Sequence, residues 1–163
     1  MNAKKYFFIL SAICTLGLTS CTKDNATTQN KGLSMNIKQG TTLDLSTFTT
    51  TDSGIKYSII KPGNGIKPSK YQKVTVHYTG WLLQGTNIVG SKFDSSVDRG
   101  QHFQFTLGTG QVITGWDLSV AAMTIGEKRI VILPSSFAYG SHGVGSIPGN
   151  ATLIFEIELF AAN

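Results

Sequence analysis

From Asp52 onward, apolar and polar residues repeatedly alternate with a period of two, the signature of strands with one buried face. Ile55, Tyr57 and Ile59 share a face of the first run, which stops at the turn-forming Pro62-Gly63-Asn64-Gly65. Val74, Val76 and Tyr78 alternate with Thr75 and His77 up to Gly80. Phe103, Phe105 and Leu107 alternate with Gln104 and Thr106 before Gly108 and Gly110. Glu127 to Leu133 reads as a strand with an apolar end. Leu153, Phe155, Ile157 and Leu159, set against Glu156 and Glu158, give the cleanest amphipathic strand. Only one stretch has helical spacing: Trp116, Val120 and Met123 recur at i, i+4 and i+7, with Thr114 placed to cap the start and Gly126 just past the end. Many short antiparallel strands and one short helix predict an α+β domain whose sheet folds against that helix. About 110 residues suffice for a single core.

The residues before Asp52 follow other rules. Lys4 and Lys5 precede a 13-residue apolar run, Tyr6 to Leu18, and then Thr19-Ser20-Cys21. The run is short for a span of a ~30 Å hydrocarbon core and fits an export signal. Leu18-Thr19-Ser20-Cys21 resembles the lipobox of bacterial lipoproteins, which implies that Cys21 becomes the lipidated first residue of an exported, membrane-anchored chain, at the periplasmic face or the cell surface. The alternative is ordinary cleavage near Ser20, leaving Cys21 a free thiol. Residues 1–20 are thus read as signal and 21–51 as lipidated cysteine and polar tether. Six of the eleven residues from Thr41 to Thr51 are Thr, and the apolar residues Leu33, Met35, Ile37, Leu43, Leu45 and Phe48 keep no period. Leu43 to Phe48 has two readings, tether or extra edge segment of the domain. Residues 52–163 form the expected domain.

Composition then narrows the chemistry. Glycine is abundant, with 18 in 163 residues, and charged residues make up only 14%, a balance that favours turns and strands over long helices. The formal charge of +5 hints at nucleic acid. Without Lys4 and Lys5, however, twelve basic residues face nine acidic ones. Lys56, Lys61, Lys67, Lys70 and Lys73 lie scattered near turns with no aromatic stacking platform, so no nucleic-acid partner is expected. The two cysteines, Cys14 and Cys21, cannot frame a disulfide scaffold. His77, His102 and His142 lack metal-ligand spacing, no nucleotide-binding Gly-Lys-Ser/Thr loop follows a strand, and no G-x-S-x-G signature occurs. No metal or cofactor is called for. What stands out is a set of aromatics, Tyr78, Phe93, Phe103, Phe105, Trp116, Tyr139 and Phe155, several beside glycines or in loops. Each alone would be core; together they suggest a concave, aromatic-lined pocket.

Five segments now fall into one order: His77-Tyr78-Thr79-Gly80, Lys92-Phe93-Asp94-Ser95-Ser96, Gln111-Val112-Ile113-Thr114-Gly115-Trp116, Phe137-Ala138-Tyr139-Gly140 and Ala151-Thr152-Leu153-Ile154-Phe155. Together they resemble the motifs of the FK506-binding-protein (FKBP) type of peptidyl-prolyl cis-trans isomerase, over about Asp52 to Phe160. The resemblance implies a half-open antiparallel sheet of about five to six strands wrapped around one short helix. It implies a shallow pocket lined by Tyr78, Phe93, Asp94, Phe103, Val112, Ile113, Trp116, Tyr139 and Phe155, with Trp116 as floor. Phe105 would point deeper and Arg99 would pair with Asp94. The implied catalytic set is Asp94, Tyr139, Tyr78 and the backbone N–H of Ile113. Implied partners are proline-containing polypeptides, with FK506- or rapamycin-type ligands also admitted. A monomer is expected.

Two departures bear on specificity. About five extra residues lie between Trp81 and Phe93, where Ile88 and Val89 would extend a hairpin near the pocket rim, touch a partner, or be a tolerated insertion. The loop Gly140 to Pro148 is about one residue short of the common form, so Val144, with His142 offset, aligns with the position that borders the pocket. Three functions remain open: an isomerase of X-Pro bonds in exported proteins, a non-catalytic chaperone or binding module using the same pocket, and a structural lipoprotein.

Overall fold

The computed structural model describes residues 36–163; Cys21, the signal-like segment and most of the polar tether lie outside them. Seven strands form one antiparallel sheet: β1 (Thr49–Thr50), β2 (Lys56–Lys61), β3 (Lys73–Gln84), β4 (Ile88–Ser95), β5 (Phe103–Thr106), β6 (Lys128–Leu133) and β7 (Leu153–Ala162). Their order is β1-β2-β6-β7-β3-β4, with β5 also paired to β3. β3 is the spine. One edge bonds β7 along nearly its whole length, and the other serves β5 over Lys73–Val76 and β4 over Thr79–Gln84. Among the described residues a single α-helix, α1 (Thr114–Ala121), packs on one face.

The alternation from Asp52 onward translates into burial. Val74, Val76, Leu133, Leu153, Ile157 and Leu159 are inaccessible to solvent and meet Val120 of the helix and Met123, two residues past its end, in the main core. The count of strands exceeds five to six for two physical reasons. β4 does not alternate in sequence because two register shifts opposite Gly80–Leu83 interrupt its pairing. β1 has only two residues, too few to carry a period. The helix also starts differently from expectation: Ile113 is the N-cap and makes no side-chain capping bond, while Thr114 is already helical. Asp117, in the first turn, ties the helix to the preceding loop, accepting Gly108 N–H at 2.9 Å and Gly110 N–H at 3.2 Å.

The far face of the sheet is covered as well. Leu43, Phe48, Trp81, Val89, Ile130, Ile132 and Ile154 form a second apolar cluster. This explains the unbroken apolar run of β6: Val131 and Leu133 face the helix, Ile130 and Ile132 the second cluster. Leu43 to Phe48 therefore packs as part of the domain, which reaches back before Asp52. The extra residues after Trp81 build the tip of the β3–β4 hairpin, turned at Gly85 with φ +58°. Gly40 N–H donates to Val89 O (2.7 Å), Val89 N–H to Thr41 O (2.8 Å) and Leu43 N–H to Asn87 O (2.8 Å). Ile88 and Val89 therefore serve the N-terminal segment and the second cluster, on the side of the sheet away from the aromatic pocket.

Candidate functional site

The site is assembled from the concave edge of the sheet and the loops flanking the helix. Trp116 lies in the first turn of α1 and is 4% exposed. Its indole meets the rings of Tyr78 (centroids 4.8 Å apart), Phe155 (5.3 Å) and Phe103 (5.9 Å) in edge-to-face arrangements, the geometry favoured by the aromatic quadrupole. Tyr78 comes from β3, Phe93 and Asp94 from β4, Phe103 from β5, and Phe155 from β7. Gly80 permits the close approach of Phe93 and Phe155: a Cβ there would lie 2.6 Å from Phe93 Cζ and 2.9 Å from Phe155 Cε1.

Tyr78, Phe93, Asp94, Phe103, Val112, Ile113, Trp116, Tyr139 and Phe155 surround one cleft of about 400 Å³, within the range of small-ligand and peptide sites. Gln111 completes the wall. The sequence singled it out only as the start of a motif, although its place two residues before Ile113 was a usable signal. Its Oε1 accepts the Thr106 N–H at 2.8 Å, tying the wall loop to β5. Phe105 lies outside the lining, 3% exposed, with its ring 5.9 Å from that of Trp116. Val144 is half exposed, and neither it nor His142 lines the cleft.

The polar groups are arranged at one rim. The Asp94 carboxylate accepts from the Tyr78 hydroxyl, the Arg99 guanidinium and the Ser95 N–H (2.8 Å). Arg99 Nη2 also donates to the Tyr78 hydroxyl oxygen at 3.1 Å. Desolvation works against the Asp94 charge, but the bonds from Tyr78 and Arg99 outweigh it, and the carboxyl titrates below its ordinary range. Burial, then the bond to Asp94, push Tyr78 upward; burial, then the Asp94 charge, do the same to Tyr139. Both phenols thus remain protonated donors. Ser96, fully buried, locks this rim to the spine: its Oγ accepts the Tyr78 N–H at 2.8 Å and its own N–H donates to Tyr78 O at 3.0 Å.

In the same cleft, Ile113 N–H and the Tyr139 hydroxyl have no hydrogen-bond partner among the described residues. The cleft thus offers an apolar floor, two unpaired donors and one fixed carboxylate. It contains no nucleophile beside a base. Among the described residues no group of three or more His, Cys, Asp or Glu is placed to hold a metal.

Comparison with known proteins agrees with this architecture. Residues 64–160 match the family described as FKBP-type peptidyl-prolyl cis-trans isomerase. The chain is 51% identical over 112 residues to the FKBP-type peptidyl-prolyl cis-trans isomerase FkpA of Aeromonas hydrophila, a match covering 69% of this chain but 39% of that protein. It is 48% identical over 112 residues to FK506-binding protein 1A of Aspergillus fumigatus, covering 68% of this chain and 96% of the other. The solved structure of AtFKBP13 superposes with a TM-score of 0.64 at 33% identity, over 71% of this chain and 98% of that one. The open antiparallel sheet folded on one helix, with its aromatic cleft, is thus of the FKBP type. The chain belongs to the FKBP-type peptidyl-prolyl cis-trans isomerase family.

Proposed function

We propose that this chain accelerates cis-trans rotation of X-Pro bonds in exported proteins, with the aromatic cleft as its active site. One observation carries the reading: an apolar floor centred on Trp116 faces two unpaired donors, Ile113 N–H and the Tyr139 hydroxyl. Rotation about an X-Pro amide is slow because it breaks amide resonance, at a cost of ~18–20 kcal/mol. Water stabilises the planar, polar amide more than the twisted one. Seating the proline ring on Trp116, between Phe103, Phe155, Val112 and Ile113, removes that preference. The donors of Ile113 and Tyr139 hold the flanking substrate carbonyls, and Asp94, oriented by Tyr78 and Arg99, acts electrostatically on the rotating amide. Only interactions stronger in the twisted state raise the rate, and each ~1.4 kcal/mol of such preference gives about tenfold. The mechanism requires no proton transfer, covalent intermediate or metal.

The substrates in this reading are proline-containing polypeptides, and FK506- or rapamycin-type ligands would occupy the same cleft. A protease-coupled X-Pro peptide and the refolding of a proline-limited protein, each with and without FK506, test it. Acceleration blocked by the ligand is expected, with losses in Trp116→Leu and Asp94→Asn. Binding without acceleration at micromolar enzyme would instead support a non-catalytic chaperone or binding module.

We further propose that the chain is an exported lipoprotein anchored through Cys21. Support comes from the charged start, the apolar run and Leu18-Thr19-Ser20-Cys21; a pair of acyl chains already gives stable anchoring. Labelling with radioactive palmitate should mark the wild-type chain and not Cys21→Ser. Equal labelling of the two would refute the assignment.

A further inference from the structure

One wall of the cleft is hydrogen-bonded through side chains rather than through its own backbone. From Gly108 to Ile113, between β5 and α1, no N–H makes a well-formed bond to a backbone carbonyl among the described residues. Nor does any carbonyl from Gly108 to Val112 accept one from a backbone N–H. Yet this stretch carries the lining residues Gln111, Val112 and Ile113, and with them the unpaired Ile113 N–H. A segment with so few backbone bonds opens locally at little cost unless side chains restrain it.

Asp117 supplies that restraint. It follows Trp116 in the first turn of α1. Its Oδ1 accepts the Gly108 N–H at 2.9 Å and its Oδ2 the Gly110 N–H at 3.2 Å. Among the described residues these are the only hydrogen bonds made by N–H groups of the stretch. Both glycines are left-handed, with φ of +73° and +72°, a backbone that a Cβ opposes. Alternate N–H groups of the loop thereby converge on one carboxylate, and ionised acceptors make the stronger class of hydrogen bond. On the helix side, the N–H groups of Trp116 and Asp117 donate to Ile113 O at 2.9 and 3.3 Å. The first turn of α1 thus sets floor and wall together: Trp116 is the floor, and Asp117 fixes the loop that brings Val112 and Ile113 beside it.

We propose that Asp117 is a positioning residue of the cleft, holding the loop so that the Ile113 N–H and the Val112 side chain are in place before a proline peptide arrives. The proposal rests on the isomerase reading and deepens it with a residue that is not part of the cleft lining. Asp117 acts through the Ile113 N–H, which holds a flanking carbonyl in the planar and the twisted amide alike. Its loss should therefore appear in KM rather than in kcat. A loop that is competent about one-tenth of the time raises KM about tenfold, the inverse of that fraction.

The test compares Asp117→Asn and Asp117→Ala on a short X-Pro peptide, in the protease-coupled assay at rising peptide concentration and well below the unfolding transition. Both variants lose the same charge near the helix start, but Asn keeps one acceptor for the Gly108 N–H. KM should rise about threefold in Asp117→Asn and about tenfold in Asp117→Ala, with kcat within about twofold of wild type. Leu118→Gly weakens the same helix at an exposed position without touching the loop. It should lower the urea midpoint and leave KM unaltered. Amide ¹⁵N relaxation dispersion should show μs–ms exchange from Gly108 to Ile113 in Asp117→Asn and none there in the wild-type chain. That measurement needs neither activity nor a folded Asp117→Ala. If the wild-type chain does not isomerise the peptide, the isomerase reading fails, and the dispersion alone decides whether Asp117 orders the wall. An unchanged KM in Asp117→Asn, an equal rise in Asn and Ala, an equal rise in Leu118→Gly, or a loop as quiet in Asp117→Asn as in wild type would each overturn the proposal.

Discussion

Leu43→Ala separates stability from catalysis in this chain. Leu43 is inaccessible to solvent, packed in the cluster that covers the far face of the sheet, and its backbone is bonded to the hairpin tip through Asn87 on both sides: Leu43 N–H to Asn87 O at 2.8 Å and Asn87 Nδ2 to Leu43 O at 3.1 Å. Those bonds hold the segment in place, so the site cannot collapse freely around a smaller side chain. Truncating a buried leucine removes its transfer free energy and leaves part of the cavity, a loss of ~2–5 kcal/mol. With a urea slope of ~1–3 kcal/mol/M for a domain of this size, the unfolding midpoint should fall by ~1–2 M. The aromatic cleft lies on the opposite face and shares no residue with this cluster. Distant sites couple by only ~0.3–0.5 kcal/mol, so kcat/KM on a short X-Pro peptide, measured well below the transition, should stay within about twofold. Urea unfolding followed by tryptophan fluorescence supplies the first number and the coupled peptide assay the second. A midpoint within about 0.2 M of wild type would mean that the segment before β1 is not part of the folded unit. A large loss of kcat/KM would mean that the two faces of the sheet are mechanically coupled.

Gly80→Ala should cut kcat/KM more than it cuts stability, because a Cβ at 2.6 Å from Phe93 Cζ and 2.9 Å from Phe155 Cε1 must push two cleft rings aside; unchanged kinetics would show that the rings have room to yield. Tyr139→Phe removes one unpaired donor at the rim. At the ~0.5–1.5 kcal/mol of a typical hydrogen bond, kcat/KM should fall about two- to tenfold with folding stability unaltered. The pH profile of kcat/KM should be flat from about pH 5 to 9: Asp94 titrates below its ordinary value and Tyr78 and Tyr139 above theirs, so none changes state in that window. A bell centred near neutrality would refute the mechanism. The depressed Asp94 carboxyl stabilises the fold above the ordinary carboxylate pKa, and that contribution is lost as pH falls through its lowered value. Arg99→Gln should therefore shallow the acid limb of a stability–pH curve.

The parts legible in sequence are those where one face of a strand is buried and the other wet. β7 from Glu156 to Leu159 and β3 from Val74 to Tyr78 show the alternation plainly, because buried and partly exposed positions alternate along them. β4 was hidden by the register shifts that bend it round the cleft, and the role of Leu43 and Phe48 by their setting among threonines. Placing the nine lining residues required the order of the five motifs, since periodicity alone cannot distinguish Phe103, at the cleft, from Phe105, two residues on and deeper in the core. The partnerships of Asp94 with Arg99 and Tyr78 were implied by the resemblance; spacing alone could not supply the second, because it depends on the pairing of β3 with β4.

Arg129 shows most clearly what a period-two reading leaves out. In Glu127 to Leu133 the positions of Arg129, Val131 and Leu133 share a face, so alternation places a guanidinium in the core. The fold resolves this by pairing it with Glu127 at the strand's start, stacking it on Tyr57 and spending its remaining donors on the end of α1. Burying two charges is costly, and an apolar pair of equal volume is often as stable or more so. Stability alone therefore does not explain the pair. Its position does more: it joins β6, β2 and the last turn of the only helix among the described residues, whose first turn carries the Trp116 floor. Arg129→Met with Glu127→Gln would retain the volume and remove the charges. Such a variant should keep its fold, its action on short peptides and a urea midpoint at or above that of the wild-type chain. A midpoint well below that of the wild-type chain would mean that the buried pair itself stabilises the fold.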